Sequence, residues 1–187
     1  VVIKPASETP LSALALAELA ERAGLPKGVL NVVTGAGSAV GGELTANPTV
    51  RKLSFTGSTE TGKLLMKQAS STVKRVALEL GGNAPFLIMD DADIEKAADG
   101  VIASKFRASG QTCVSANRII AHAPIADKLI AALKERIAAI KVGDGLTEGV
   151  TVGPLIHDEA VSRVDKLVQN ARERGATIHT GGKSLAD

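Results

Sequence analysis

Arg51-Lys52-Leu53-Ser54-Phe55-Thr56-Gly57-Ser58-Thr59 sets the fold class. Arg51 to Phe55 reads as a strand, Thr56-Gly57-Ser58 as a turn, and Thr59 to about Ser70 as a helix. Val73 to Leu80 reads as the next strand. Strand, helix and strand joined by short loops form a βαβ unit, whose strands pair in parallel. The stretch before it has the same rhythm. Val1 to Ile3 is a short β-branched run that Lys4-Pro5 breaks. Thr9 is placed to cap a helix with Pro10 at its first position, and Leu11 to Ala23 continues to the stop at Gly24. Val29 to Val33 is a strand, and Gly35-Ala36-Gly37 turns into a helix ending near Asn47-Pro48. The expected fold is α/β with a parallel, Rossmann-like sheet.

The character changes at Gly81-Gly82, where a boundary is expected. Pro85 to Met89 reads as a strand, and Asp90-Asp91-Ala92-Asp93 caps a helix running to about Arg107. A helical segment is expected near Thr112, then a strand over Arg118 to Ala121. Pro124 to Ile140 carries apolar residues at helical spacing, His157 to Arg174 is helical, and Ala176 to His179 reads as a strand. The chain opens in a strand without Met and stops in Gly181-Gly182-Lys183-Ser184-Leu185-Ala186-Asp187, as an internal stretch of a longer protein would.

The 187 residues suffice for a packed core. A formal net charge of +2, with three Phe and no Tyr or Trp, speaks against nucleic acid as a partner. No apolar run reaches the ~18–20 residues that span a bilayer, so no membrane partner is expected. One cysteine makes no internal disulfide, which favours a reducing compartment, the cytoplasm.

That cysteine, Cys113, follows Gly110-Gln111-Thr112, a polar turn that presents a thiol instead of burying it. A free thiol with a pKa of about 8.5 is mostly protonated at neutral pH. A helix N-terminus just after Gly110 would favour the thiolate and offer N–H groups to an oxyanion. Glu79 ends the apolar run Val76-Ala77-Leu78-Glu79-Leu80. It is either a partly desolvated base or an outward-facing strand residue. His122, His157 and His179 lack a turn or glycine context and read as surface or strand-end residues, and no metal-ligand spacing occurs. The Phe55-Thr56-Gly57-Ser58-Thr59 junction can bind a pyrophosphate on helix N–H groups. Gly35-x-Gly37 has Val40 where the dinucleotide fingerprint needs its third glycine.

Lys4-Pro5-Ala6-Ser7-Glu8-Thr9-Pro10, Phe55-Thr56-Gly57-Ser58-Thr59, Leu78-Glu79-Leu80-Gly81-Gly82-Asn83 and Gly110-Gln111-Thr112-Cys113 occur in this order and spacing in aldehyde dehydrogenases. The chain resembles that superfamily over its whole length. Asn83-Ala84-Pro85-Phe86 and Ser104-Lys105-Phe106-Arg107 are most similar to its NADP-dependent succinate-semialdehyde-oxidising members. The resemblance implies that 1–81 is part of a cofactor-binding domain and 82–187 part of the catalytic, thiol-bearing domain. It implies that Cys113 attacks the aldehyde, with its N–H as half of the oxyanion hole, and that Glu79 activates the hydrolytic water. Lys4, Pro5, Ala6 and Ser7 then lie along the adenosine ribose, Gly57 and Ser58 at the pyrophosphate, and Leu80 near the nicotinamide. Arg107 would bind the substrate's far carboxylate, a pairing that suits a guanidinium; otherwise it is a surface or interface arginine.

The same resemblance implies a small-molecule aldehyde substrate and a homo-oligomer, dimer or tetramer, in the complete protein. The family's oxyanion-hole asparagine and nicotinamide-ribose glutamate are expected outside this stretch, along with the oligomerisation strands. Ser115 stands where some relatives carry a second cysteine. With those parts outside it, the stretch alone is expected to be inactive or poorly folded, with open sheet edges. Two other readings stand beside this one: oxidation of another semialdehyde such as glutarate semialdehyde, and a thiol acyl-transferase or hydrolase without nicotinamide. A third is a non-catalytic nucleotide-binding module.

Ser7 is the cofactor determinant in this reading. Many NAD-dependent relatives have Glu there, which holds the ribose 2′-OH and repels a 2′-phosphate. Ser7 beside Lys4 favours NADP, with NAD the weaker alternative. Ser7→Glu is expected to reverse the ratio of kcat/KM for NADP over NAD in the complete protein; an unchanged ratio refutes the assignment.

Overall fold

The computed structural model describes residues 1–185, and Ala186 and Asp187 of the expected unstructured close lie outside the described residues. The chain divides into two compact units that meet at Gly81 and Gly82.

The first unit holds two βαβ units. β1 (Val2–Ile3) and β2 (Asn31–Val32) pair in parallel around α1 (Leu11–Arg22). β3 (Lys52–Gly57) and β4 (Arg75–Leu80) pair in parallel around α3 (Thr59–Ala69), with α2 (Gly37–Ala46) packed on α3. Pro10, not Thr9, stands at the start of α1, because the Pro10 carbonyl already accepts from the Leu14 N–H at 3.1 Å. Gly24 ends α1 in the left-handed region, φ +86°. β4 begins at Arg75, two residues later than the β-branched run indicates. Val73 turns left-handed at φ 54°, and Lys74 is buried with its ammonium on the carbonyls of Asn47 (2.6 Å) and Val50 (2.9 Å). The core here is small, built around Leu53, Leu65 and Ala69, while α1 buries none of its side chains.

The second unit repeats the motif with β5 (Ala84–Ile88), α4 (Ile94–Lys105) and β6 (Ala116–Ala121), then adds α5 (Ala126–Ala138) and α6 (Asp158–Glu173). Ile88, Ala98, Val101, Ile125, Leu129 and Ala132 form its core, where α4 and α5 meet the strands. Arg136 ties α5 to α4 through Asp99 (2.6 Å) and Glu95 (2.8 Å), and these carboxylates hold its pKa above the ordinary arginine value. Ala176–His179 forms no strand: the Ala176 N–H closes the end of α6 on Ala171, and no neighbouring strand pairs with it among the described residues. His157 has a role that sequence reading missed. Its Nδ1 accepts from the Ala160 N–H at 3.1 Å and caps α6. The sheets stay two-stranded, so each pair keeps open edges among the described residues. Among those residues no helix is long and apolar enough to cross a membrane.

Asp93 caps α4 as expected, accepting from the N–H groups of Glu95 (3.1 Å) and Lys96 (3.2 Å). The Lys96 N–H leads in holding the Asp93 carboxyl below its ordinary range. A carboxylate with a lowered native pKa stabilises the fold above its unfolded value, and that contribution is lost as pH falls through the native one. Asp93→Ala is expected to lower the thermal midpoint at neutral pH. The gap to the parent should close as pH drops below about 3.9, read by calorimetry across a pH series.

Candidate active site

Parallel pairing puts the candidate cofactor residues of the first unit at the carboxyl ends of its strands, where open α/β sheets bind ligands. Lys4 to Ser7 leave the end of β1, and Gly35 follows the end of β2 with φ +149°. The Lys4 ammonium donates to the Gly35 carbonyl at 3.4 Å and to that of Pro5, fixing the turn between them. Lys4 and Pro5 are half-buried, and Ala6 and Ser7 are exposed. At the second pair the register sets Gly57 opposite Leu80 and Thr56 opposite Glu79. A Cβ on Gly57 would strike the Phe55 ring, so any larger residue there requires that ring to swing aside. Gly62 on α3 lets Leu80 close on the helix: a Cβ there would lie 2.7 Å from Leu80 Cδ2.

Ser58 caps α3. Its hydroxyl accepts from the Thr61 N–H at 3.2 Å and donates to Thr61 Oγ1 at 3.0 Å. The hydroxyl is therefore engaged, and an anion at this junction would meet the first-turn N–H groups that have no intrahelical partner. Those N–H groups, the Gly57 turn, and the absence of a carboxylate at position 7 beside Lys4 fit a dinucleotide with a charged ribose. Glu79 is exposed. Strand alternation turns Leu78 and Leu80 inward and Glu79 out.

In the second unit, no helix begins after Gly110. The segment preceding the thiol is a short 3₁₀ turn, Arg107–Gly110, in which Ala108, Ser109 and Gly110 are left-handed in succession (φ 48°, 55° and 73°). That run cannot continue into a right-handed helix. Cys113 instead occupies a tight turn closed by the Ser115 N–H on the Thr112 carbonyl at 3.0 Å, with its thiol exposed. The expected helix-dipole support for the thiolate is therefore missing. Ser109 Oγ ties the segment to the Gly153 carbonyl at 2.9 Å, and Thr112 Oγ1 closes it locally on the Arg107 carbonyl at 3.3 Å.

Gly82 and Cys113 lie just ahead of β5 and β6, so the pairing of those strands brings them together. A Cβ on Gly82 would sit 2.8 Å from the Cys113 carbonyl oxygen. The bare Cα of Gly82 thus makes room for the backbone of Cys113. Arg107 is exposed, and among the described residues no carboxylate pairs with it. Cavities of about 440 Å³ beside α1 and about 510 Å³ at the amino ends of β3 and β4 are lined by none of the candidate residues. Among the described residues no cluster of His, Cys, Asp or Glu has the makings of a metal site.

The profile of the aldehyde dehydrogenase family matches residues 1–187. The chain is 57% identical over 183 residues to the NADP(+) succinate-semialdehyde dehydrogenase GabD of Escherichia coli, covering 98% of this chain and 38% of that protein. It is 55% identical over 185 residues to a glutarate-semialdehyde dehydrogenase of Pseudomonas aeruginosa, covering 99% of this chain and 38% of that protein. The crystal structure of an NADP-dependent enzyme of E. coli superposes with a TM-score of 0.97 at 56% identity, covering 98% of this chain and 38% of that one. The chain thus spans 38% of the length of these relatives.

Gly82→Ala forces a backbone carbonyl, not a flexible side chain, to move. It is expected to cost about 1–3 kcal/mol of stability and to change the rate of Cys113 alkylation by iodoacetamide. Gly81→Ala, whose Cβ meets nothing within 4 Å, is expected to leave the denaturation midpoint in place. Equal midpoints for the two variants would show that the close approach does not constrain the turn.

Proposed function

The chain belongs to the aldehyde dehydrogenase family, and from that premise we propose that it carries the thiol and cofactor segments of an enzyme oxidising succinate semialdehyde to succinate. In this reading 1–81 belongs to the cofactor-binding domain and 82–187 to the catalytic domain. The observation that carries it is Cys113, the sole cysteine of the chain, exposed on a turn braced within its own unit and lying inside a family match that runs the full length.

The Cys113 thiolate adds to the aldehyde carbon, and its backbone N–H is one donor to the oxyanion of the resulting thiohemiacetal. A bound NADP supplies the acceptor for the hydride that leaves this adduct as a thioester. Glu79 takes a proton from water, the hydroxide adds to the thioester carbon, and the C–S bond breaks to release the carboxylate and restore the thiolate. Aldehyde, NADP⁺ and water are converted to carboxylate, NADPH and two protons. Lys4 to Ser7 receive the adenosine ribose and its 2′-phosphate, with NAD used less well. Gly57 and Ser58 receive the pyrophosphate on the N-terminus of α3, and Leu80 borders the nicotinamide.

Arg107 receives the substrate's distal carboxylate, a role that its exposed side chain supports. The similarity to a protein named for glutarate semialdehyde keeps that longer homologue as the second substrate of this reading. The complete protein works in the cytoplasm as a dimer or tetramer.

The test measures NADP reduction at 340 nm by the complete protein with succinate semialdehyde, glutarate semialdehyde and a neutral aldehyde. Cys113→Ala is expected to abolish turnover. Arg107→Ala should raise KM for the carboxylated aldehydes about 10–100-fold, the worth of a charge-assisted hydrogen-bonded pair, and leave the neutral aldehyde little changed. Equal effects on both classes discard the Arg107 assignment, and NADP that stays oxidised with every aldehyde discards the reaction.

A further inference from the structure

Three successive left-handed residues ahead of Cys113 include two that are not glycine. Non-glycine residues in that region are strained, and such strain persists only where the surroundings over-determine it. Beside the Ser109 bond to the Gly153 carbonyl at 2.9 Å, a cross-brace holds this turn. β5 and β6 slip register between Ala84 and Pro85: Ala84 pairs with Ala116 and Pro85 with Arg118, so Asn117 is the extra, unpaired residue of a bulge. Pro85 has no N–H to give the ladder at that point. A bulge turns its residue's side chain out of the strand pattern, and here the Asn117 amide is used at both ends. Its Nδ2 donates to the Gly82 carbonyl at 3.2 Å, and its Oδ1 accepts from the Lys105 ammonium at 2.6 Å. Lys105 also donates to the Gly110 carbonyl at 3.2 Å.

The Gly110-to-Cys113 run is therefore gripped at both ends. Lys105 holds Gly110, Gly82 abuts the Cys113 carbonyl, and Asn117 joins Lys105 to Gly82. Arg118 adds a bond from its guanidinium to the Asn83 carbonyl at 2.9 Å, holding the other side of the same entry to β5. We propose that Lys105 and Asn117 are positioning residues for the nucleophile: as one unit they hold the Cys113 turn in its strained geometry without touching the reacting atoms. The proposal uses the reaction assigned above for its kinetic readout, but the brace itself can be read without that reaction.

Lys105→Met removes the donors and keeps the apolar stem, and Asn117→Ala removes the amide. In the complete protein each is expected to lower kcat for aldehyde oxidation about 10-fold or more, with KM for NADP unchanged. Lys105→Met/Asn117→Ala should be no slower than the worse single variant, since a broken brace cannot be broken twice. Hydrogen exchange supplies the readout independent of turnover. Amides of 108–115 should exchange at least 10-fold faster in either single variant, while those of β5 and α5 keep the parent's rates. Unchanged exchange over 108–115 overturns the proposal, as does a double variant whose losses multiply. Faster exchange throughout the second unit also overturns it, by reducing the pair to general stability. If one single variant does not fold, exchange in the other decides the matter. A parent protein that oxidises no aldehyde fails the functional reading, and the exchange pattern still decides the brace.

Discussion

Parallel pairing is the constraint on which the rest of this structure depends. It aligns the ends of two strands that are remote in sequence, so whatever precedes or follows them meets at one rim. In the first unit each pair has its rim at the carboxyl ends: Lys4 to Ser7 after β1 in one, and Gly57 and Ser58 after β3 with Glu79 and Leu80 closing β4 in the other. In the second it is formed by amino ends, where Gly82 enters β5 and Cys113 enters β6. The pairing is held by hydrogen bonds that need no particular side chains. The side chains at the rims are thereby free to carry chemistry.

The second unit is the better packed of the two. Ile88, Val101 and Leu129 are almost fully buried, and Arg136 bridges two carboxylates across the helices above them. That rigidity matters for the thiol, because the turn bearing it has unfavourable backbone geometry and no helix of its own. Its shape is imposed by neighbours: Ser109 on Gly153, Lys105 on Gly110, and the Cys113 carbonyl against Gly82. A thiol placed this way depends on tertiary contacts for its direction. In the first unit Lys74 does comparable work, its buried ammonium replacing missing partners for the loop carbonyls of Asn47 and Val50.

Where sequence reading and structure part company, the reason is each time a non-local contact. A helix was expected near Thr112 because glycine and polar residues also open helices, but the left-handed run at Ala108 to Gly110 diverts the chain. A strand was expected at Ala176–His179 on composition, and a strand needs a partner as well as suitable residues. Val73 is β-branched yet sits in a left-handed turn, because the buried Lys74 sets the path into β4. Glu79 was legible as a singular residue, but which way it faces follows from the inward packing of Leu80 on Gly62.

The sequence by itself determined the α/β class, the order of the three βαβ units, the cap at Asp93, and the identity of the thiol. These follow from local rules: β-branched runs, capping side chains close to the N–H groups they bind, and the uniqueness of one cysteine. The tertiary structure alone decided that Gly82 serves the Cys113 backbone, that a bulge aims Asn117 between Lys105 and Gly82, and that His157 is a cap. Hydrogen bonds between residues distant along the chain leave no periodic trace, because their geometry exists only once the strands have paired.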